Sequence, residues 1–541
     1  MPALPNALAS ALLLVSLAWL WQQPITHYEA PPLWFTLATL GSLSVLASRA
    51  PLALWVWWGL GLLTLFWSLT PGNTLVLGLW ELAYLAAFAA GGWLLGLVGL
   101  NLFLLGYGLL TTLSLAWAGL VMYFSGSIHY VSGAQALALI PLAAFWLFRS
   151  RWPLLSGMLL VAALFAALAS GARAVYLPLL LMGPLLVWRL WREGVGLGRI
   201  GVGLGAAALA VLALESALPF SPIQNALGLK ATLTKQLQDT QEEGSIGSRW
   251  LMWRQTLGMA LEAPLGTGNG SFRDVLAAYQ QYPGILFSNA HNYYLETAAT
   301  GGWARFFLLV GLLGFILWRG WRSAAWPWAL GTAGLWATLA FDVTGMYPSV
   351  MMLAFALLGA VHAQTLQAPG PSWFPPRAPQ ALGLGLGLAL AAWWYAPCAR
   401  DCALQRHLGH RPAVLAELKQ RPPQEAASLL REAAQLNPKS LWVYRTWLDY
   451  APNPAERERL LERIVESFPL ANPLYYLQLA RLQAARGKPE AAIRTLEMGL
   501  SHFPPGFRVY QAGNFFGLLS PAYEAWQTEA PRLLAQLRSR P

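Results

Sequence analysis

Residues 75–93 read LVLGLWELAYLAAFAAGGW, an apolar run interrupted by a single charge, Glu81. About 20 residues of α-helix cross the hydrocarbon core of a bilayer. A stretch this long and this apolar is therefore expected to span a membrane. Runs of the same kind recur on both sides. They are read at 5–21, 32–48, 51–69, 75–93, 101–123, 133–148, 152–169, 173–190, 199–215, 303–318, 325–341, 349–364 and 380–397. The expected fold is an all-α polytopic membrane protein of about thirteen transmembrane helices.

Composition agrees. The 541 residues are 56% hydrophobic and 11% charged, whereas soluble domains carry about 25% charge. The first apolar run, Leu4 to Trp21, has no basic segment ahead of it and many spans after it, so it reads as a retained span rather than a cleaved signal peptide. A net charge of +11 suggests nucleic acid at first sight. The basic residues, however, are mostly scattered arginines at span ends, which is the positive-inside pattern, so no nucleic-acid partner is expected. Arg49, Arg149, Arg151, Arg189, Arg192, Arg199, Arg319, Arg322 and Arg377 fall in alternate connections. Those connections are read as cytoplasmic. The loop 216–302 and residues 398–541 then lie outside a bacterial cytoplasmic membrane.

Four segments follow from this reading. Residues 1–215 hold the N-terminal spans, 216–302 a large extracytoplasmic loop, 303–397 the last spans, and 398–541 a soluble helical domain. In the last segment, AASLLREAAQLNPKSLWVYRTWLDYA, RLLERIVESFPLANPLYYLQLARLQAARGK and PEAAIRTLEMGLSHFPPGFRVYQA resemble one another. Each has an amphipathic helix, a proline (Pro438, Pro469, Pro504) and a second helix. The spacing approximates the tetratricopeptide period of about 34 residues, and such arrays present a concave face. That face is either an inert cap or a docking surface. Cys398 and Cys402 read as incidental thiols or one local disulfide, and no metal cluster is evident.

The loop carries a polar island, RWLMWRQTLGMALEAPLGTGNGSFRDVLAAYQQYPGILFSNAHNYYLETAATGG, from Arg249 to Gly302. Polar groups held against a bilayer are costly and usually functional. Arg249 stands at the start of an expected membrane-surface helix, where its charge joins the helix dipole in holding an anion. Arg173, in ALASGARAVYLPLL, lies on the face that otherwise avoids basic residues, and arginine suits bidentate binding of phosphate oxygens. Arg305, near the outer end of a span, is a third phosphate candidate. PLGTGNGSF is read first as a tight loop. His291 sits beside Asn292 and has the proton affinity of a general base near neutrality. His27 and His129, in short outward loops, are the weaker candidates. Glu81 inside a span either pairs with an arginine, such as Arg173 or Arg305, or has a polar task of its own. Tyr347 sits at the outer membrane edge.

In order along the chain, SGARAVYLPLLL, GSRWLMWRQTLGMALEAPLGTGNGSF, AHNYYLETAATGG and MYPS resemble the O-antigen ligase superfamily of bacterial membrane glycosyltransferases over roughly residues 165–365. Within it the chain looks most like the pilin-type protein O-oligosaccharyltransferases, through Tyr347-Pro348 and the outer C-terminal domain. Met346 stands where that group usually has glutamate. The resemblance implies a metal-independent, GT-C-like transferase without cofactor. It would move an oligosaccharide from undecaprenyl pyrophosphate to a hydroxyl, either Ser/Thr of a pilin-like protein, lipid A core or a growing glycan. By the same resemblance Arg173, Arg249 and Arg305 would hold the pyrophosphate. His291 would take the acceptor proton. Tyr347, Asn292 and Glu81 would position acceptor or sugar.

Two readings from other classes compete. A transporter of lipid-linked glycan would carry charge along the bilayer midplane, whereas here the polar residues gather at one face. A scaffold leaves Arg173, Arg249 and His291 without a role.

Overall fold

The computed structural model describes residues 25–46, 50–97, 129–150, 152–170, 173–217, 245–283, 288–365, 378–395, 409–504 and 520–539. Among these residues every regular element is helical. The first part of the chain forms α1 (Leu33–Leu46), α2 (Leu52–Leu63), α3 (Pro71–Leu97), α4 (His129–Arg149), α5 (Pro153–Ala169), α6 (Arg173–Arg192) and α7 (Leu197–Ala217). The large loop contributes α8 (Ser245–Glu262), the single turn α9 (Phe272–Val275) and α10 (Tyr293–Gly301). Then come α11 (Trp303–Trp321), α12 (Trp326–Thr338), α13 (Pro348–Thr365) and α14 (Ala378–Tyr395). Helices occupy eleven of the thirteen expected spans. The runs at 5–21 and 101–123, and Cys398 and Cys402, lie outside the described residues.

Span length divides the described apolar helices into two sets. Within α3, α6, α7, α11 and α13 lie five windows long and apolar enough to cross a membrane, and five shorter apolar helices accompany them. The chain is a multi-pass membrane protein in composition and in this helix set. The windows of α3 and α13 are 89% and 78% buried, against 33%, 17% and 28% for α6, α7 and α11. The α3–α13 pair is therefore the centre of the bundle and the other three are its rim. In lipid, helices associate through close packing rather than apolar burial. Two glycines do this here: a Cβ on Gly91 would collide with the Ala356 carbonyl, and one on Gly359 with the Phe88 carbonyl. The two backbones touch because neither position has a side chain. Trp57, Tyr84 and Trp336 then pack on Phe355.

The bundle has two unlike ends. At one, Arg149 and Arg189 both meet Glu193, at 3.7 and 3.3 Å. There Arg189 also lies over Trp321 and Trp326, and Arg319 donates to the Thr365 carbonyl at 2.9 Å. At the other end of α12, roughly 20 Å away by helical rise, the Leu339 carbonyl accepts the Tyr293 N–H at 2.8 Å. The polar loops collect there. Arg173, at the start of α6, shares that end, because α6 runs antiparallel to α12: Met182 meets Gly334 and Arg189 meets Trp326.

After α14 the chain forms α15 (Arg411–Leu418), α16 (Pro423–Leu436), α17 (Leu441–Tyr450), α18 (Pro454–Ser467), α19 (Leu474–Ala485), α20 (Pro489–His502) and α21 (Ser520–Arg538). Each helix from α16 to α21 packs on the next. Proline opens several of them, where its missing N–H costs nothing, and the Asn453 side chain caps α18 by accepting the Glu456 N–H at 2.9 Å. Leu430, Val443, Ile464, Ala480, Leu496 and Trp526 are fully buried between the helices. Burial of each large apolar side chain stabilises the layer by about 1.5–3 kcal/mol. This domain sits on the loops of the polar end. His410 Nε2 lies 2.6 Å from the Tyr28 carbonyl, Lys439 Nζ donates to the Tyr279 hydroxyl at 2.9 Å, and Ala277 enters the domain's apolar core.

Candidate active site

The glycine loop after α8 is a staple. Gly266, Gly268 and Gly270 all have positive φ, at 86°, 117° and 77°, a region that favours glycine. A Cβ on Gly266 would strike the Thr300 carbonyl, and one on Gly268 the Ser68 hydroxyl. The N–H groups of Thr267 and Gly268 donate to Ala299 and Thr300 at 3.1 and 3.0 Å, and that of Asn269 to the Thr64 hydroxyl at 2.9 Å. These donors are committed to protein, so the loop fastens α10 to the α2–α3 connection and is no phosphate cradle.

That fastening leaves His291 on a tight turn ahead of α10. His291 has φ 48°, the one positive φ outside glycine among the described residues. Such a conformation costs of order 1–3 kcal/mol and persists only where neighbours impose it. Here they do. Asn289 Oδ1 accepts the His291 N–H at 2.9 Å, Glu296 Oε2 accepts the Ala290 N–H at 3.0 Å, and Asn292 Oδ1 caps the helix at Leu295 N, 3.0 Å. Arg249, near the start of α8, donates to the Phe341 carbonyl at 2.7 Å. Burial, with Arg249 nearby, lowers the His291 pKa from 6.5 to about 4. The imidazole is thus neutral at ordinary pH and free to accept a proton. Its Nδ1 is buried without a partner among the described residues.

A second layer backs this turn. Tyr28 donates its hydroxyl hydrogen to the Ser288 carbonyl at 2.7 Å and lies 3.4 Å from Glu296 Oε1. His27 Nε2 is 3.9 Å from the same oxygen. Burial raises the Glu296 pKa from 4.5 to about 7 and lowers that of His27 to about 4, so both tend to be neutral. Arg273 lies over the Tyr28 ring at 4.3 Å and 3.6 Å from Asp274, which accepts from Asn73 at 2.5 Å.

Deeper still, Arg305 forms an ion pair with Glu81 and donates to Asn269, both with exposures of 1–2%. Asn269 donates to the same Glu81 oxygen at 3.0 Å, and the guanidinium lies over Trp57 at 4.3 Å. Between the layers is an enclosed cavity of about 20 Å3, lined by His27, Glu81, Tyr84, Tyr293, Glu296 and Arg305 among others. That is room for about one water.

The expected site residues therefore separate. Arg249 and His291 come together. The backbone of Arg173 reaches the same end of the bundle, and its side chain lies outside the described residues. Arg305 does not stand free for pyrophosphate: its charge is met by Glu81. Glu81 in turn is tied to Arg305 and Asn269 rather than turned to a substrate. The Asn292 oxygen is a helix cap. Tyr347 starts α13, its N–H donating to the Thr344 carbonyl at 3.2 Å, and its ring packs half-buried on the bundle core. His129 opens α4, with its side chain outside the described residues. His27 has company the sequence does not reveal, namely Glu296 and the Met346 carbonyl, which accepts its N–H at 2.8 Å. Glu296 was not anticipated either. Its signal is a lone carboxylate in the apolar helix that follows HN and precedes a span. Among the described residues no group of three or more His, Cys, Asp or Glu is placed to hold a metal ion.

Residues 158–310 match the family model described as O-antigen ligase. The matched region holds Arg173, Arg249, His291, Glu296 and Arg305, and excludes Glu81 and Tyr347. No curated protein matches the chain.

Proposed function

From the match of residues 158–310 to the O-antigen ligase family, we propose that the chain is a lipid-linked glycan transferase of that superfamily and acts as a metal-independent O-oligosaccharyltransferase. Its donor is a glycan on undecaprenyl pyrophosphate, its acceptor a Ser or Thr hydroxyl of a protein, and it works without cofactor. The observation that carries the reading is the meeting of Arg249 with a neutral, strained His291 at the end of the bundle opposite the basic cluster. Under the positive-inside rule the basic end faces the cytoplasm, which turns the site outward from the inner membrane, where lipid-linked glycans are presented.

The steps balance as an acyl-free displacement. The acceptor oxygen bonds to the anomeric carbon while the bond from that carbon to the phosphate oxygen breaks. His291 takes the hydroxyl proton. The pyrophosphate leaves as an anion on its lipid, and Arg249 with Arg173 offsets the charge that develops on it. The Glu81–Arg305–Asn269 group sets α11 against α2 and α3 and leaves the donor to the other two arginines. In this reading Tyr347 and Asn292 help to position the acceptor. We read α15–α21 as a tetratricopeptide-like array that presents the acceptor protein.

The match to the O-antigen ligase family favours a second reading, transfer to lipid A core; glycan polymerisation is its close relative. One experiment separates them. The purified full chain is given lipid-linked oligosaccharide with a Ser/Thr peptide, lipid A core or free glycan, and products are read by mass spectrometry. Sugar on the peptide supports the proposal. Sugar on lipid or glycan alone replaces it, and no transfer to any acceptor ends it.

A further inference from the structure

The helices α16 and α18 flank a groove of about 560 Å3, floored by α17. Its walls carry Arg431, Arg459 and Arg463, all exposed, against one acid, Glu456. Arg431 pairs with Glu456 at 3.2 Å and lies 5.6 Å over Trp447. Arg463 is held by Glu466 at 3.2 Å, outside the groove. Three arginines against Glu456 and Glu466 leave the groove net positive by one charge. Its floor is amphipathic: Tyr444 and Trp447 offer ring faces, and the buried indole N–H of Trp447 has no acceptor among the described residues.

We propose that this groove binds an acidic, aromatic-containing segment of the acceptor protein. Arginine forks take carboxylates in bidentate fashion, the rings take an apolar side chain between them, and the orphan indole N–H donates to a carbonyl or carboxylate of the segment. Polypeptide fits better than a lipid headgroup, because the groove runs between two helices, alternates charge with ring faces, and lies in a domain whose exposed helix faces are charged rather than apolar. Its floor helix α17 also packs on α9 in the loop that carries Asn269 and Asp274, so a segment lying here is held beside the site loops. The inference rests on the reading that the acceptor is a protein.

The test uses the full chain in detergent and two short fluorescein-labelled peptides. One alternates aspartate and serine around a single phenylalanine. The other has lysine for aspartate. Fluorescence anisotropy is expected to show saturable binding of the acidic peptide only, weakening as salt rises. The pair Arg431→Glu and Arg459→Glu is expected to weaken binding about tenfold, with helical content by circular dichroism unchanged. Should that pair disturb the fold, the exposed single change Arg459→Ala is expected to weaken binding by a smaller factor. Equal binding of both peptides, or affinity indifferent to both variants, overturns the proposal. So does a variant that loses short-chain phosphatidylglycerol binding while keeping the peptide. Hydrolysis of lipid-linked oligosaccharide without acceptor is read in parallel and is expected to be the same in wild type and variants. Absence of that turnover in the wild type counts against the transferase reading, while the peptide result is judged on its own.

Discussion

Arg249 and His291 lie on different elements of the large loop, yet the guanidinium adds to burial, the larger cause, in lowering the proton affinity of the imidazole. A cation beside a general base weakens that base. In the proposed mechanism the same cation attracts the dianionic donor, whose arrival would offset the repulsion and raise the imidazole's affinity for the acceptor proton.

Removing the base follows first. His291→Ala is expected to lower kcat about 10²- to 10⁴-fold. Alanine is strained at φ 48°, so His291→Asn is the companion variant, since asparagine tolerates that backbone region. Both are expected to lose transfer in the mass-spectrometric assay. Full activity in the asparagine variant removes His291 from the chemistry.

Arg249→Ala is expected to raise the donor KM about 10- to 100-fold, the worth of a charge-assisted hydrogen bond to phosphate. Acceptor KM is expected to stay within about twofold. Arg173→Ala is expected to behave in the same way. An effect on acceptor affinity alone would move both arginines away from the diphosphate.

The buried titrating groups predict a window of stability. Glu296 has its pKa raised from 4.5 to about 7, so its contribution is full below pH 4.5 and fades as pH rises through 7. His27 and His291 have theirs lowered from 6.5 to about 4, so their contribution is present above 6.5 and fades as pH falls through 4. Melting temperature is expected to peak between the two limbs. Glu296→Gln keeps an acceptor for the Ala290 N–H and removes the titration. The alkaline limb should flatten in thermal scans from pH 4.5 to 8, with transfer largely kept. Glu296→Ala loses the acceptor and is expected to lose transfer as well. An unchanged limb in the glutamine variant would assign it to another group.

Glu81→Gln or Arg305→Met alone leaves a buried charge unmet, at a cost of about 3–5 kcal/mol. The double change is expected to melt higher than either single one. If the singles melt like wild type, the ion pair contributes little to the fold.

The apolar runs were legible because membrane spanning is decided by local composition over about 20 residues. Leu33–Leu46 and Pro348–Thr365 form where the runs were read. Span length was less legible, because Leu52–Leu63 ends in a short 3-10 turn at Thr64–Phe66 whose one hydroxyl, that of Thr64, accepts the N–H of Asn269 from the distant glycine loop. The polar loop that holds Arg249 and His291 stands out in the sequence because polar residues are rare there. The site was not legible where a partner far along the chain decides the role. Arg305 looks like a phosphate ligand until Glu81 meets it. His27 looks isolated until Glu296 and Met346 arrive from elsewhere. Asn292 looks like a substrate contact beside His291, but its oxygen lies one turn from an unsatisfied N–H that a cap must meet.

Tyr28 joins two parts of the molecule through one residue. Its carbonyl is held by His410 of the outer helical layer, and its hydroxyl reaches Glu296 behind the His291 turn. In the proposed reading, an acceptor held by the helical layer would load the His291 turn through this one aromatic side chain.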